Sequence, residues 1–307
     1  ITMLPTLYAY GGFGGQPPTS GQRRFVNGSN RYLKILGTLD KAGKADPLRQ
    51  LGISPHSLRA VTKELLNEVF AGLDGMGRVS APIHIHVAEQ TKEVDDCLAW
   101  SGMKPVQYLL DHFDVSSRWC GIHATHMTAG ETQRMAASGM IAGLCPTTEA
   151  NLGDGIFPAD AFLAAKGAIA IGSDSHISVS PAEDLRQLEY SQRLRDRTRN
   201  ALASGPGKST GRALFDAALK GGARSMAQPV GALAPGLRAD ITVLDDDHPA
   251  LIGRSQDRAL DSWIFSGGNS CVRDVFVAGH HVVQNRRHIR EEAILKNFRA
   301  AVKRLTA

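Results

Sequence analysis

The segment Ile83-His84-Ile85-His86-Val87-Ala88-Glu89-Gln90 sets a histidine near the end of a β-branched apolar run and a carboxylate three residues further on. A strand alternates its faces with period two, so His84 and His86 point the same way, inward if the strand belongs to a closed parallel barrel. His86 lies nearer the C-terminal end of the strand, where such barrels keep their active sites. An imidazole there can bind a divalent metal, and Glu89, just past the strand, is then placed to carry a proton to or from a water that the metal acidifies. That pairing predicts hydrolysis. Two ordinary roles compete with it: histidine in an apolar strand is often a core residue, and a carboxylate suits the first turn of a helix.

A second segment, Ala168-Ile169-Ala170-Ile171-Gly172-Ser173-Asp174-Ser175-His176, is another buried strand that ends in an aspartate. Strand-end aspartates also make Asx turns, but two such strands in one chain favour a shared site. Ser54-Pro55-His56-Ser57-Leu58-Arg59 closes a short strand and opens a helix, on which Leu58, Val61, Leu65 and Val69 recur at helical spacing. A cation is poorly placed against a helix N-terminus, so Arg59 calls for a partner other than solvent.

The elements that must position these groups follow from periodicity. Apolar runs ending near Tyr10, Pro55, Val87, His123, Cys145 and Asp174 make six strands, those after Ile83 being separated by helix-length stretches as in successive βα units. Helices are expected over 91–113 with a break at Gly102, after a capping box at Thr128 and Glu131, over 181–203 and over 211–226. Residues 11–50 read as a long strand-to-helix loop and 147–155 as a polar loop. Beyond residue 228 the texture becomes β, with a hairpin over 275–283 turning at a glycine. A final helix over 291–306 carries the apolar stripe Ile294, Phe298, Val302 and Leu305, which predicts docking against another surface. The expected division is 1–228, a parallel α/β unit of successive βα repeats, and 229–307, a small β domain plus the C-terminal helix.

Composition excludes several classes. With 307 residues, 42% hydrophobic and 21% charged, the chain can bury a substantial core. The net charge of +5 is spread along the sequence without the aromatic-interleaved basic stripe of nucleic-acid binders. The cluster Arg286, Arg287, His288 and Arg290 reads as a solvated turn. No apolar run approaches the ~20 residues that span a bilayer, and no signal peptide opens the sequence, so a cytoplasmic location is expected. Cys97, Cys120, Cys145 and Cys271 form no CxxC pair and read as reduced thiols.

Beyond these local readings, the chain resembles the amidohydrolase superfamily and, within it, the formimidoylglutamate deiminases. The resemblance rests on Gly-Gly-Phe-Gly-Gly at 11–15, Ser-Pro-His-Ser-Leu-Arg at 54–59, His-Val-Ala-Glu-Gln at 86–90 and His-Ala-Thr-His at 123–126. It continues through Cys-Pro-Thr-Thr-Glu-Ala-Asn-Leu-Gly-Asp-Gly at 145–155 and Gly-Ser-Asp-Ser-His at 172–176. It implies an α/β fold, a distorted (β/α)8 TIM-type barrel joined to a small β-sandwich, with one zinc. The implied reaction converts N-formimino-L-glutamate and water to N-formyl-L-glutamate and ammonia in histidine degradation. On matching positions it implies His86 and Asp174 as zinc ligands, with Asp174 also taking a proton from water, and Glu89 as the carrier of that proton to the leaving nitrogen. His123 would steady the attacking group, and His56 with Arg59 would hold the substrate carboxylates. A doubly anionic substrate suits a bidentate arginine.

The sequence departs from the family at one point. The family draws two further zinc ligands from a His-x-His on its first strand, whereas the only His-x-His here is His84-Ile85-His86, whose following Ala88-Glu89 marks it as the fifth. With six strands counted, the expectation is a chain truncated at its N-terminus, starting at the third barrel strand. The expected partners are a small molecule with two carboxylates and a second copy of the chain in a homodimer, with no nucleic acid and no membrane. Two other readings stay open: an amidohydrolase of the guanine or triazine type, and a noncatalytic fragment.

Overall fold

The structure is a computed structural model that describes residues 1–306. Its centre is a parallel array made of β1 (Thr2–Met3), β2 (Thr6–Leu7), β3 (Gln50–Leu51), β4 (Ser54–Pro55), β5 (Ile83–Val87), β6 (Trp119–His123), β7 (Ile141–Leu144) and β8 (Ala168–Ile171). β1 pairs with β3 and β2 with β4, so the first strand position is one extended segment interrupted at Pro5, whose lack of an N–H breaks the ladder. Bridges from Ile53 to Ile83 and from Ser57 to His86 join β4 to β5, and β5, β6, β7 and β8 follow in order. The result is an open arc of six parallel strand positions among the described residues, as the hydrophobic runs predict.

The strand pattern explains which way the chemistry points. In β5, Ile83, Ile85 and Val87 are fully buried beneath the helical layer, while the alternate residues His84 and His86 are only half-buried on the inner face. The helices of that layer are α1 (Ser29–Lys44), α2 (Lys63–Gly75), α3 (Thr91–Ser101), α4 (Pro105–His112), α5 (Ala129–Ala137), α6 (Pro146–Leu152), α7 (Ala159–Ala164), α8 (Pro181–Asp196) and α9 (Thr210–Ser225). α3 stops where Gly102 takes φ 73° in the left-handed region, and Pro105 restarts the chain as α4. Thr128 and Glu131 form the predicted capping box at the head of α5.

Four expectations need correction. Residues 11–50 are not all loop: α1 forms because Tyr32, Leu36 and Asp40 recur at i, i+4 on one buried face, a signal hidden by the polar residues between them. Tyr32 donates to the Pro5 carbonyl at 2.7 Å and Asp40 accepts from Arg78 at 2.7 Å, so this face is partly polar. Residues 146–152 are likewise helical, begun by Pro146 at the first position and ended by Gly153 in the left-handed region. α2 starts at Lys63 with Thr62 as its cap, so Leu58, Arg59 and Val61 lie in the preceding turn and Arg59 opposes no helix dipole. α8 ends at Asp196, where Arg197 adopts φ 53°, short of the expected Ala203.

α9 closes the floor of the arc. A Cβ on Gly221 would lie 1.8 Å from the carbonyl oxygen of Ile169, so helix and strand backbones touch there and only glycine fits. The Ser225 carbonyl at the end of α9 meets His84 Nε2 at 2.8 Å, giving that inward histidine a structural partner. Thr2 Oγ1 donates to the Met226 carbonyl at 2.6 Å, so the first strand is fastened to the same point.

A separate antiparallel sheet has the order β12 (Arg287–His288), β11 (His280–Gln284), β10 (Val272–Val277), β9 (Ile241–Leu244). Its hairpin turns at Ala278 and Gly279, both at positive φ, the geometry that matches strand twist. α10 (Asp257–Ser262) precedes it, and α11 (Glu291–Leu305) follows. α11 has no buried residue, and Ile294, Phe298, Val302 and Leu305 are exposed, so the docking expected of this stripe is not made within the described residues. All four cysteines are buried free thiols.

Candidate active site

Four neighbouring strand ends bring a row of rings together. Tyr8 packs edge-on to His56 with centroids 4.7 Å apart, His56 lies 4.9 Å from His86, and His86 stacks on His123 at 5.6 Å. The row exists because the strands are staggered: His86 is level with Ser57 on one side and Ile122 on the other, and His123 with Val87. His86 Nδ1 lies 2.7 Å from the His56 carbonyl oxygen, to which it must donate, and this leaves Nε2 open toward the interior. Burial lowers the pKa of both His56, to about 4, and His86, so the two rings are neutral near pH 7. His56 can therefore offer a substrate a hydrogen bond but not a charge.

Glu89 occupies the middle of the site. One carboxylate oxygen faces His123 Nε2 at 3.8 Å and the other faces Arg59 Nη2 at 3.9 Å. It is held by a residue that periodicity did not single out, Glu93, four positions on in the first turn of α3. The buried Glu93 carboxylate accepts from the backbone N–H of Ala88 at 3.1 Å and of Glu89 at 3.0 Å. These bonds hold Ala88 at φ 52°, a strained turn that throws the Glu89 side chain back over the strand end. Burial raises the pKa of Glu93 against the opposing pull of Arg59, whose Nη2 is also 3.9 Å from it. The Arg59 Nε is buried and has no acceptor among the described residues.

His123 is buried at φ 70°, with Glu149 Oε1 at 3.2 Å from its Nδ1. Burial opposes its charged form, but the Glu149 contact and the charges of Glu89, Glu149 and Asp174 outweigh that and raise its pKa. The second histidine of the 123–126 motif is structural: His126 Nε2 bonds the Asp154 carbonyl at 2.7 Å and pins the 153–155 loop. Asp174 lies beyond β8 at φ 43° and is exposed, with its charge felt by His86 and His123. The structure thus gathers His56, Arg59, His86, Glu89 and His123 at contact range, while Asp174 stands at the rim. Tyr8, Glu93 and Glu149 join them without having been singled out. Glu93 stands at helical spacing from Glu89, but that spacing does not separate a buried glutamate from an exposed one.

The donors can be compared with what a divalent metal requires. His86 fits a ligand, since a carbonyl on one ring nitrogen fixes the tautomer and orients the other, and Asp174 supplies a hard oxygen. The tightest group of three donors among the described residues is a different one, His123, Cys145 and Glu149, whose atoms lie within 4.8 Å of one another. Those atoms are already engaged: Glu149 Oε1 accepts from the Cys145 N–H at 2.8 Å and faces His123, and burial pushes the Cys145 thiol well above its ordinary range.

Parallel strands that deliver imidazoles and carboxylates from their C-terminal ends define a barrel of the enzyme type. The family model described as amidohydrolase family matches residues 23–282. The chain belongs to the amidohydrolase family. It is 52% identical over 302 residues to the formimidoylglutamate deiminase of Pseudomonas aeruginosa, covering 97% of this chain and 65% of that protein. The crystal structure of an amidohydrolase from Brucella melitensis superposes with a TM-score of 0.93 at 48% identity, covering all of this chain and 66% of that one. A zinc-bound adenosine deaminase from Xanthomonas campestris shares the fold, with a TM-score of 0.82 at 23% identity over 98% of this chain and 65% of that one. The chain therefore spans about two thirds of the length of these relatives.

Proposed function

We propose that this chain carries most of the active site of a hydrolase that deiminates N-formimino-L-glutamate, giving N-formyl-L-glutamate and ammonia. The observation that carries the reading is Glu89, whose two oxygens reach His123 on one side and Arg59 on the other. A proton carrier and an anion receptor meet at one carboxylate, which suits a small amidine bearing carboxylates. The 52% identity to a formimidoylglutamate deiminase supports the same substrate.

His86 and Asp174 would hold a zinc or similar divalent ion, which supplies an acidified water and an electrophile. The chain's own residues do the rest. Arg59, with its free Nε, binds a substrate carboxylate by charge-assisted hydrogen bonds, and neutral His56 adds an uncharged one. That fixes the amidine carbon beside Glu89. Water adds to this carbon and Glu89 carries its two protons in turn to the terminal nitrogen. The first moves as the C–O bond forms and the second, from the remaining hydroxyl, as the C–N bond breaks, so that ammonia leaves and the oxygen stays as the formyl carbonyl. His123 hydrogen-bonds the oxygen that arrives. A catalytic zinc normally has three protein ligands, so with two donors residues 1–307 should release the ion readily on dialysis against a chelator.

The test is ammonia release from N-formimino-L-glutamate, from guanine and from aminotriazines, by zinc-loaded protein at the length of its relatives and by residues 1–307. Turnover of the formimino substrate, lost by about 10² to 10⁴ in kcat with little change of KM in Glu89→Gln, is the expected result. Preference for either ring substrate overturns it, as does near-normal turnover by Glu89→Gln.

A further inference from the structure

We infer that Glu149 is the positioning residue for His123, fixing its ring in the Nδ1–H form so that Nε2 alone faces the reacting side. His123's part in deimination rests on the function proposed above, but the geometry of the pair does not.

Glu149 is buried in the first turn of α6 and is turned back toward the strand ends. Its Oε1 accepts from the Cys145 backbone N–H at 2.8 Å and lies 3.2 Å from His123 Nδ1. The same Oε1 is already an acceptor for the backbone N–H, so the hydrogen of the second contact is assigned to the imidazole. One atom therefore ties the end of the β7 segment to the end of β6. The only other ring nitrogen, Nε2, faces Glu89 Oε1 at 3.8 Å, the side on which substrate would sit.

A second, independent observation comes from the backbone. His123 and Ala124 both have positive φ, 70° and 49°, although neither is glycine. Such conformations cost of order 1 to 3 kcal/mol each and persist only where surrounding contacts hold them. Ala124 N–H donates to the Val87 carbonyl at 3.0 Å, which secures the main chain of the turn. Nothing in that bond sets the ring, and the stack on His86 carries no hydrogen, so the tautomer is left to Glu149. The carboxylate–imidazole pairing also explains why a helix of only seven residues is wedged between β7 and the 153–155 loop, since its first turn is what brings Glu149 under His123.

The experiment uses protein labelled with ¹⁵N in its histidine rings, compared as wild type, Glu149→Gln and Glu149→Ala. In the wild type His123 Nδ1 is expected to be the protonated, pyrrole-type nitrogen. Glu149→Gln keeps an acceptor oxygen in place and should keep that tautomer, with kcat within about tenfold of wild type. Glu149→Ala should shift His123 to the other tautomer or to a mixture, with kcat falling about 10²-fold and KM changing by less than about threefold. A wild-type His123 with bare Nδ1 overturns the inference, and so does an alanine variant with unchanged tautomer whose only change is a lowered melting temperature. Should the alanine variant not fold, the spectra of wild type and Glu149→Gln still decide. Should the protein fail to turn over N-formimino-L-glutamate, the proposed function falls, whereas the spectra test the pairing alone.

Discussion

Arg59 is where substrate binding and turnover can be separated. It has two carboxylate neighbours at 3.9 Å, neither close enough for a tight ion pair, and a buried Nε without an acceptor. Arg59→Lys removes the planar fork while keeping the charge. The expected result is a KM for N-formimino-L-glutamate raised by the equivalent of about 1.5 to 3 kcal/mol, with a smaller fall in kcat because the contact is remote from the reacting carbon. Steady-state kinetics decide it, and an unchanged KM would assign Arg59 to Glu89 and Glu93 alone. The strand-end residues proposed to do chemistry were legible in the sequence because strand period and position are local facts: His86, Glu89 and His123 each lie where an apolar run stops. Glu93 and Glu149 were not, for a physical reason. Each works through backbone N–H groups and a neighbouring side chain in three dimensions, and a buried glutamate in a first helical turn has the same sequence signature as an exposed one.

At the level of elements, the contact between α9 and β8 is the least forgiving in the arc. Gly221→Ala would press a methyl group against the Ile169 carbonyl, which belongs to a fully buried strand residue and cannot swing aside. Destabilisation of about 3 kcal/mol, at the upper end for overpacking, is expected in urea melts, whereas Gly222→Ala, with nothing within 4 Å of its Cβ, should be neutral or stabilising. Equal effects at the two positions would remove the close approach as an explanation. Most strands and helices could be placed from periodicity, with α3, α4, α5 and the β10–β11 hairpin starting and stopping near where caps and turn residues put them. α1 and α6 could not, because their buried faces carry Asp40, Thr148 and Glu149, polar residues that meet Arg78, Ser175 and His123, all distant in sequence.

At the scale of the whole molecule, buried ionisable groups make stability depend on pH, and Asp184 can be isolated. It sits in the first turn of α8, accepts from Thr147 Oγ1 at 2.9 Å, and burial raises its pKa from 3.8 to about 6. Between those values the folded state holds more protons than the unfolded one, so this group's contribution falls as pH climbs from about 4 to about 6 and is level above. Asp184→Asn can retain the Thr147 bonds. It should stabilise the protein near neutral pH by on the order of 1 to 3 kcal/mol and by progressively less as the pH falls to about 4. His56, with its pKa lowered, gives the opposite slope from pH 6.5 downward. The difference between variant and wild-type denaturation curves at each pH cancels it, and a pH-independent difference would contradict the burial of Asp184.

The bond between Thr2 and Met226 has a consequence in time. Synthesis releases every parallel strand, from β1 to β8, some 40 residues before it releases α9, at a pace of about 5 to 20 residues per second. For those seconds a nascent chain holds these six strand positions with no floor, its His84 ring facing no carbonyl and Ile169 uncovered. The arc is closed from below only when residue 226 returns to residue 2, so β1 waits for a partner that emerges 224 residues after it.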